Sequence, residues 1–130
     1  MNILLTGASG QLGQELQTSL AGLGRVVSVD RYPGGDNSVE MDLSDLHQLE
    51  DLLDRQSPNV VINAAAYTAV DKAESEHRTA FQINAELPAA LGRWCKRNDG
   101  FLLHYSTDYV FPGDSDRPYV EGDLVGPLGV

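Results

Sequence analysis

The sequence predicts an α/β protein built on a doubly wound parallel sheet. Three observations carry that expectation: short apolar runs with few polar interruptions, amphipathic stretches between them, and a glycine-rich turn directly after the first run. Ile3-Leu4-Leu5 reads as the first strand and ends abruptly in Gly7-Ala8-Ser9-Gly10. Leu12, Leu16, Leu20 and Leu23 then recur at helical spacing, which places one leucine face on the core. Val26-Val27-Ser28-Val29 is the second strand, closed by Asp30 and a loop at Pro33-Gly34-Gly35. A short additional strand is expected near Val39-Glu40-Met41. Ser44 is the expected N-cap of a helix carrying Leu46, Leu49, Leu52 and Leu53 on one face. Ser57-Pro58 ends that helix, and Val60-Val61-Ile62 follows as another strand. A long helix is expected from Thr79 to Lys96, with Phe81, Leu91 and Trp94 among its apolar positions; Phe101-Leu102-Leu103 then opens the last strand.

Composition narrows the function classes. The chain has 130 residues, a length that by itself suggests one domain with a real core. Nine Lys and Arg stand against nineteen Asp and Glu, a net charge of −10 that disfavours nucleic acid and anionic membrane surfaces as partners. The single cysteine excludes an internal disulfide framework and fits a reducing cytoplasm, with Cys95 expected in the core beside Trp94. The start resembles no secretory leader and no apolar run approaches membrane-spanning length, so a cytoplasmic location is expected. Beyond Phe111 periodicity disappears and residues 112–130 carry three of the six prolines. Residues 1–111 are therefore expected to form the nucleotide-binding domain, and 112–130 a loop.

Gly7, Gly10 and Gly13 form G-x-x-G-x-x-G between a strand and a helix. The first glycine permits a tight turn, the second lets backbone approach a pyrophosphate, and the third lets the helix pack closely on the sheet. The helix starting near Gln11 and Leu12 aims unsatisfied N–H groups at the phosphates. An acid, Asp30, ends the second strand 23 residues after Gly7, which is the setting of a dinucleotide-binding fingerprint. Asp30 suits the adenosine ribose hydroxyls of NADH, whereas Arg31 beside it suits the 2′-phosphate of NADPH, and the choice between them stays open. Asp42-Leu43 falls at the carboxyl edge of the sheet, where Asp42 either meets the adenine amino group or caps the following helix.

Two further strand ends carry chemistry. Ala64-Ala65-Ala66, with Tyr67 and Thr68, follows the strand at Val60–Ile62; three small residues let a flat nicotinamide ribose lie against backbone. Tyr105-Ser106-Thr107-Asp108 follows the last strand and sets hydroxyls and a carboxylate where a substrate carbonyl would be oriented.

Taken together, the glycine loop, the segment Asn63 to Glu74 and the segment Tyr105 to Phe111 resemble the dTDP-4-dehydrorhamnose reductases, members of the extended short-chain dehydrogenase/reductases. Pro118-Tyr119-Val120-Glu121 and Pro127-Leu128-Gly129-Val130 extend the likeness along essentially the whole chain, with Gly129 where the family usually has asparagine. The resemblance implies a Rossmann-type NAD(P)-binding fold and reduction of the 4-keto group of dTDP-4-dehydro-L-rhamnose by NADPH or NADH. It implies cofactor contacts at Gly10, Gln11, Leu12, Asp30, Asp42, Leu43, Ala66, Tyr67 and Thr68, a catalytic Thr107, and a substrate contact at Asp108. It further implies a magnesium ligand at Glu15 and a homodimer.

The family's Tyr-x-x-x-Lys pair does not occur. Four residues beyond the tyrosines stand Asp36, Asp71, Tyr109, Gly113 and Asp123, and neither Lys72 nor Lys96 has that spacing. In the family this pair follows the stretch that here is Pro127–Val130, so the carboxyl-terminal part of the fold is expected to be missing and the chain inactive as a reductase. A noncatalytic binding module of the same fold, or another extended nucleotide-sugar epimerase or dehydratase, are the competing readings; the intact Ser106-Thr107-Asp108 favours the reductase.

Overall fold

A computed structural model describes residues 1–32, 34, 35 and 37–130; the expected turn residue Pro33 and the acid Asp36 lie outside the described residues. Five strands form one parallel sheet in the order β3-β2-β1-β4-β5. They are β1 (Asn2–Thr6), β2 (Arg25–Asp30), β3 (Ser38–Glu40), β4 (Val60–Asn63) and β5 (Phe101–His104). The order reverses at β1, so β1 and β4 part their following connections to opposite faces and leave a crevice at their carboxyl ends. Every expected strand is present, the short one shifted by a residue at each end.

The helices are α1 (Gln11–Leu20), α2 (Leu46–Gln56), α3 (Val70–Ala73), α4 (His77–Phe81) and α5 (Leu87–Arg97). One core lies between the sheet and the pair α2 and α5, where Leu4, Val29, Leu49, Leu52, Leu53, Val61, Leu87 and Leu91 are all nearly inaccessible. Across this layer Trp94 Nε1–H donates to Asp54 Oδ1 at 2.7 Å, so the one indole N–H is not stranded when its ring is buried. Arg97 and Glu50 pair at the rim. Cys95 lies in the same layer, and burial pushes its thiol above the ordinary range, which makes it a small core residue rather than a nucleophile. The smaller core on the opposite face joins Ile3, Leu5, Ala8, Leu20 and Ile62.

Several local expectations change. The leucine face of α1 is only half covered: Leu20 is buried and Leu16 partly so, but Leu12 and Leu23 are exposed, Leu23 because the helix has already ended at Leu20. The N-cap of α2 is Asp45, whose Oδ1 accepts from the Gln48 N–H at 3.0 Å; Ser44 stands one residue too far from Leu46 and donates to Asp42 instead. The expected long helix starts two residues early and is not uniform. Residues Gln82–Glu86 widen into a π-helical turn in which the Leu87 N–H reaches back to Gln82 O. Pro88 follows immediately and has no N–H for the ordinary ladder, so a wider turn here leaves the helix continuous. Phe81, just ahead of this turn, is exposed, while Leu91 and Trp94 beyond it are buried.

Strand β5 is covered on one face only, and Phe101 and Leu103 are exposed there. Beyond the short 3₁₀ turn Asp108–Val110 the chain has no regular element. It is nevertheless organised: Phe111 and Tyr119 stack with ring centroids 4.4 Å apart, the Tyr119 hydroxyl accepts the Asp114 and Ser115 N–H groups, and Arg117 forks onto Asp123. No helix among the described residues is long and apolar enough to cross a membrane.

Candidate dinucleotide site

The site grows from the loop that joins β1 to α1. Gly7 has φ of +71°, and a Cβ there would lie 2.4 Å from the Ala65 nitrogen, so the turn is both left-handed and pressed against the end of β4. A Cβ on Gly13 would lie 2.1 Å from Gly7 O, so that glycine lets the first turn of α1 sit on the loop itself. Gly10 differs. Its backbone is ordinary (φ −68°, ψ 166°) and a Cβ would meet only Gly7 O, at 3.3 Å. The fold needs the first and third glycines; the middle one keeps open a surface that faces outward.

Other groups hold that surface in shape. The side chains of Gln14 and Gln17 donate from α1 to the carbonyls of Ser9 and Ala8, both at 2.9 Å. The first intrahelical bond runs from Gln14 N–H to Gly10 O at 2.9 Å, which leaves the amides of Gln11, Leu12 and Gly13 ahead of the ladder, and Gly10 offers no side chain to cap them. Those amides and the positive end of the helix would suit a pyrophosphate, which the bare Gly10 would let approach. The residues present therefore fit a dinucleotide.

Asp30 stands at the end of β2 beside this loop. Its Oδ2 accepts from Ser9 N–H at 2.9 Å and its Oδ1 from Arg31 N–H at 2.7 Å, so the acid is already fixed against the glycine loop. A cleft of about 290 Å³ opens next to it, lined among others by Ser9, Asp30, Tyr32 and Gly34. Asp42 lies across the sheet edge, beyond β3. It does not cap α2: its Oδ1 accepts from the backbone N–H and hydroxyl of Ser44, at 3.0 and 2.8 Å, and these donors, with Arg31 nearby, hold its carboxyl below the ordinary value. Leu43 is buried with its side chain in the core, so only its backbone faces the site.

The end of β4 supplies the other wall. Asn63, fully buried, accepts on Oδ1 from the Thr6 hydroxyl at 2.5 Å and from Ala65 N–H at 3.3 Å. An oxygen with two such partners fixes the amide's orientation, so Nδ2 donates to His104 Nδ1 at 3.0 Å and the His104 proton resides on Nε2. One side chain thus ties together the carboxyl ends of β1, β4 and β5. Ala64 and Ala65 are half-buried, while Ala66 and Thr68 are exposed on the crevice side of the sheet. Tyr67 packs on the core and its hydroxyl donates to Glu76 Oε2 at 2.6 Å, which raises the phenol above its ordinary value.

Asn84 is a residue that sequence reasoning missed. It sits in the π-helical turn, and its Oδ1 accepts from Tyr67 N–H at 2.8 Å while its Nδ2 donates to Tyr67 O at 3.0 Å. Both backbone groups of one loop residue are held by one amide, so the alanine segment is clamped from the helix behind it. The only signal in the sequence is the proline four residues later, which hints that the helix around Asn84 is irregular. Asn84→Ala is expected to leave the fold intact but to cost about 1–3 kcal/mol and to accelerate hydrogen exchange at Tyr67 and its neighbours selectively. Exchange by mass spectrometry would show it; unchanged protection at residues 66–68 would refute the clamp.

Thr107 and Asp108 lie just past β5, both exposed. The Thr107 hydroxyl accepts from Tyr109 N–H at 3.2 Å and donates to Asp108 Oδ1 at 3.3 Å, which caps the 3₁₀ turn and keeps the pair adjacent. Glu15 points outward from α1, and no group of three His, Cys, Asp or Glu side chains among the described residues is arranged to hold a metal. A single carboxylate offers a magnesium ion one ligand, and this ion commonly fills its other positions with water or with groups from another molecule.

A parallel sheet reversing at β1, a glycine cradle at a helix N-terminus and an acid at the end of β2 define a Rossmann-type NAD(P)-binding protein. The chain belongs to the RmlD substrate binding domain family, which matches over residues 1–130. It is 42% identical over 130 residues to the dTDP-4-dehydrorhamnose reductase of Shigella flexneri, and 46% identical over 128 residues to that of Burkholderia thailandensis. These matches take in 100% and 98% of this chain, but only 42% and 41% of those proteins. Among solved structures it is similar to a hypothetical dTDP-4-dehydrorhamnose reductase from Sulfolobus tokodaii, with a TM-score of 0.93, 42% identity, and coverage of 99% of this chain and 47% of that one. The Bacillus anthracis dTDP-4-dehydrorhamnose reductase in complex with NADP gives a TM-score of 0.85 at 31% identity, covering 98% and 43%.

Proposed function

We propose that this chain binds NADH or NADPH and is the amino-terminal, cofactor-binding part of a reductase that converts the 4-keto group of dTDP-4-dehydro-L-rhamnose to the alcohol of dTDP-L-rhamnose. The observation that carries the proposal is the contrast among the three glycines: two would collide with backbone if a side chain were added, and the third is far less confined and leaves the amides of α1 open to a ligand. The relatives' names and the neighbour's NADP supply the substrate class and the cofactor.

The bound dinucleotide supplies a hydride from C4 of its nicotinamide ring. The chain's own groups position it. The amides at Gln11, Leu12 and Gly13 hold the pyrophosphate, Asp30 takes the adenosine ribose, Asp42 and the Leu43 backbone flank the adenine, and the clamped Ala64–Thr68 segment supports the nicotinamide ribose. Thr107 is placed to donate its hydroxyl to the substrate carbonyl, and Asp108 to contact the sugar. The proton that completes the alcohol needs a tyrosine with a lysine four residues on, a pair absent from this sequence. The parent reductase is read as a homodimer working in the cytoplasm.

Calorimetric titration of the 130-residue protein with NADH and NADPH tests this directly. One-to-one binding of at least one dinucleotide is expected, with no oxidation of either cofactor by the dTDP-4-keto sugar. Absence of binding to both would overturn the cofactor reading, and turnover by this chain would overturn its assignment as a partial active site.

A further inference from the structure

Resting on the cofactor reading above, one more relation in the site bears on which nicotinamide cofactor it takes. Arg31 follows the ribose acid directly, and its own backbone N–H is bonded to Asp30 Oδ1 at 2.7 Å, so its Cα sits beside the position of the adenosine 2′-oxygen. Its side chain turns away. The guanidinium Nη2 lies 3.2 Å from Asp42 Oδ1, and Arg31 is not among the residues that line the cleft of about 290 Å³ beside Asp30. The anchor is the firmer partner, because Ser44 holds the same Oδ1 with two hydrogen bonds that do not depend on Arg31. The cleft has room for a phosphate next to Ser9 and Tyr32, and among the described residues that line it Asp30 is the charged one.

We propose that Asp42 sets the cofactor preference by withholding Arg31 from the adenosine 2′-position, so that the site favours NADH while the Arg31–Asp42 pair is closed and admits NADPH when Arg31 swings back. The pair is suited to such a choice. Both side chains are about half exposed, 52% and 54%, so water screens their attraction and a doubly charged phosphate competes with a single carboxylate on better than equal terms. A buried pair would exclude the phosphate outright; an exposed one grades the preference. Since Ser44 rather than Arg31 fixes the carboxylate, opening the pair leaves Asp42 in place against the adenine. Asp42 acts here as a positioning residue, through Arg31.

The test is a cycle of four proteins, wild type, Asp42→Asn, Arg31→Ala and the double variant, each titrated with NADH and NADPH at low and high salt. Asp42→Asn keeps an oxygen for Ser44 and removes the charge that holds Arg31. It is expected to raise the NADPH-to-NADH affinity ratio about two- to five-fold, the range an exposed ion pair commands. Arg31→Ala is expected to lower the ratio about ten-fold, and in the double variant the gain from Asp42→Asn should vanish. Added salt should shrink the gain from Asp42→Asn. Equal effects of Asp42→Asn on both dinucleotides would overturn the proposal and assign Asp42 to adenine alone, and a gain that survives loss of Arg31 would overturn it as well. Failure of all four proteins to bind either dinucleotide would instead refute the underlying cofactor reading, and a thermal melt of each variant identifies any loss that comes from unfolding.

Discussion

Replacing the three loop glycines one at a time by alanine is expected to divide them into two classes. Gly7→Ala puts a Cβ at a φ of +71° and within 2.4 Å of the Ala65 nitrogen, so it carries left-handed strain and a backbone collision together. Each contributes on the order of 1–3 kcal/mol, and the loop can relieve neither without moving the end of β4. Gly13→Ala collides with Gly7 O at 2.1 Å and with Ala8 Cα at 2.7 Å, where α1 rests on the loop; a loss of about 3 kcal/mol is expected. Gly10→Ala meets one backbone oxygen at 3.3 Å, a tight contact, in an ordinary conformation at the N-cap of α1, and should cost no more than about 1 kcal/mol. Its effect should fall on binding, with dinucleotide affinity reduced about ten-fold or more by a methyl group set between the phosphates and the amides of α1. Denaturant melts read the first class and calorimetry the second. If Gly10→Ala proved as destabilising as the other two, the loop's spacing would be explained by the fold and would no longer argue for a ligand.

Asn63→Ala is expected to be the most damaging polar substitution. Asn63 and Thr6 are both fully buried, and the amide serves the Thr6 hydroxyl, the Ala65 N–H and His104 at once. Removing it strands buried groups and opens a void, at a cost of about 2–4 kcal/mol. Asn63→Asp gives a sharper result. It keeps an oxygen for the Thr6 hydroxyl and the Ala65 N–H, so it separates the tie to His104 from the other two. A carboxyl group buried in place of the amide is expected to cost about 1–3 kcal/mol, because burial opposes its charge and the amide donor facing His104 Nδ1 is gone. Denaturant melts of both variants check it. An Asn63→Asp protein as stable as wild type would show that the amide N–H aimed at His104 contributes nothing to the fold.

Much of the fold was legible because strands and helices announce themselves over short windows. Val60-Val61-Ile62 has no reading but a buried strand, and Leu46, Leu49, Leu52 and Leu53 no reading but a helix face. Capping was less legible: Ser44 and Asp45 are both good N-caps, and which one serves depends on where the chain leaves β3, which local preference does not encode. The irregular stretch at Gln82–Glu86 was read as plain helix, since a π-turn leaves no periodic trace beyond Pro88 nearby. Phe81 counted among the apolar positions of that helix, yet it is exposed while Leu91 and Trp94 are buried.

By itself, then, the sequence determined the alternation of strands and helices, the glycine loop at the first strand–helix junction and the acid at the end of the second strand. These are properties of neighbouring residues, and dihedral preference and apolar spacing are enough to set them. Tertiary structure alone decided which strand ends became neighbours. Parallel strands are joined by crossovers, so residues that meet at the sheet's carboxyl edge are separated by long stretches of chain: Ser9 on Asp30, Arg31 on Asp42, Asn63 on Thr6 and His104, Asn84 around Tyr67. The first three exist because the strands lie in the order β3-β2-β1-β4-β5, and the Asn84 clamp because the helix after β4 packs back on its loop.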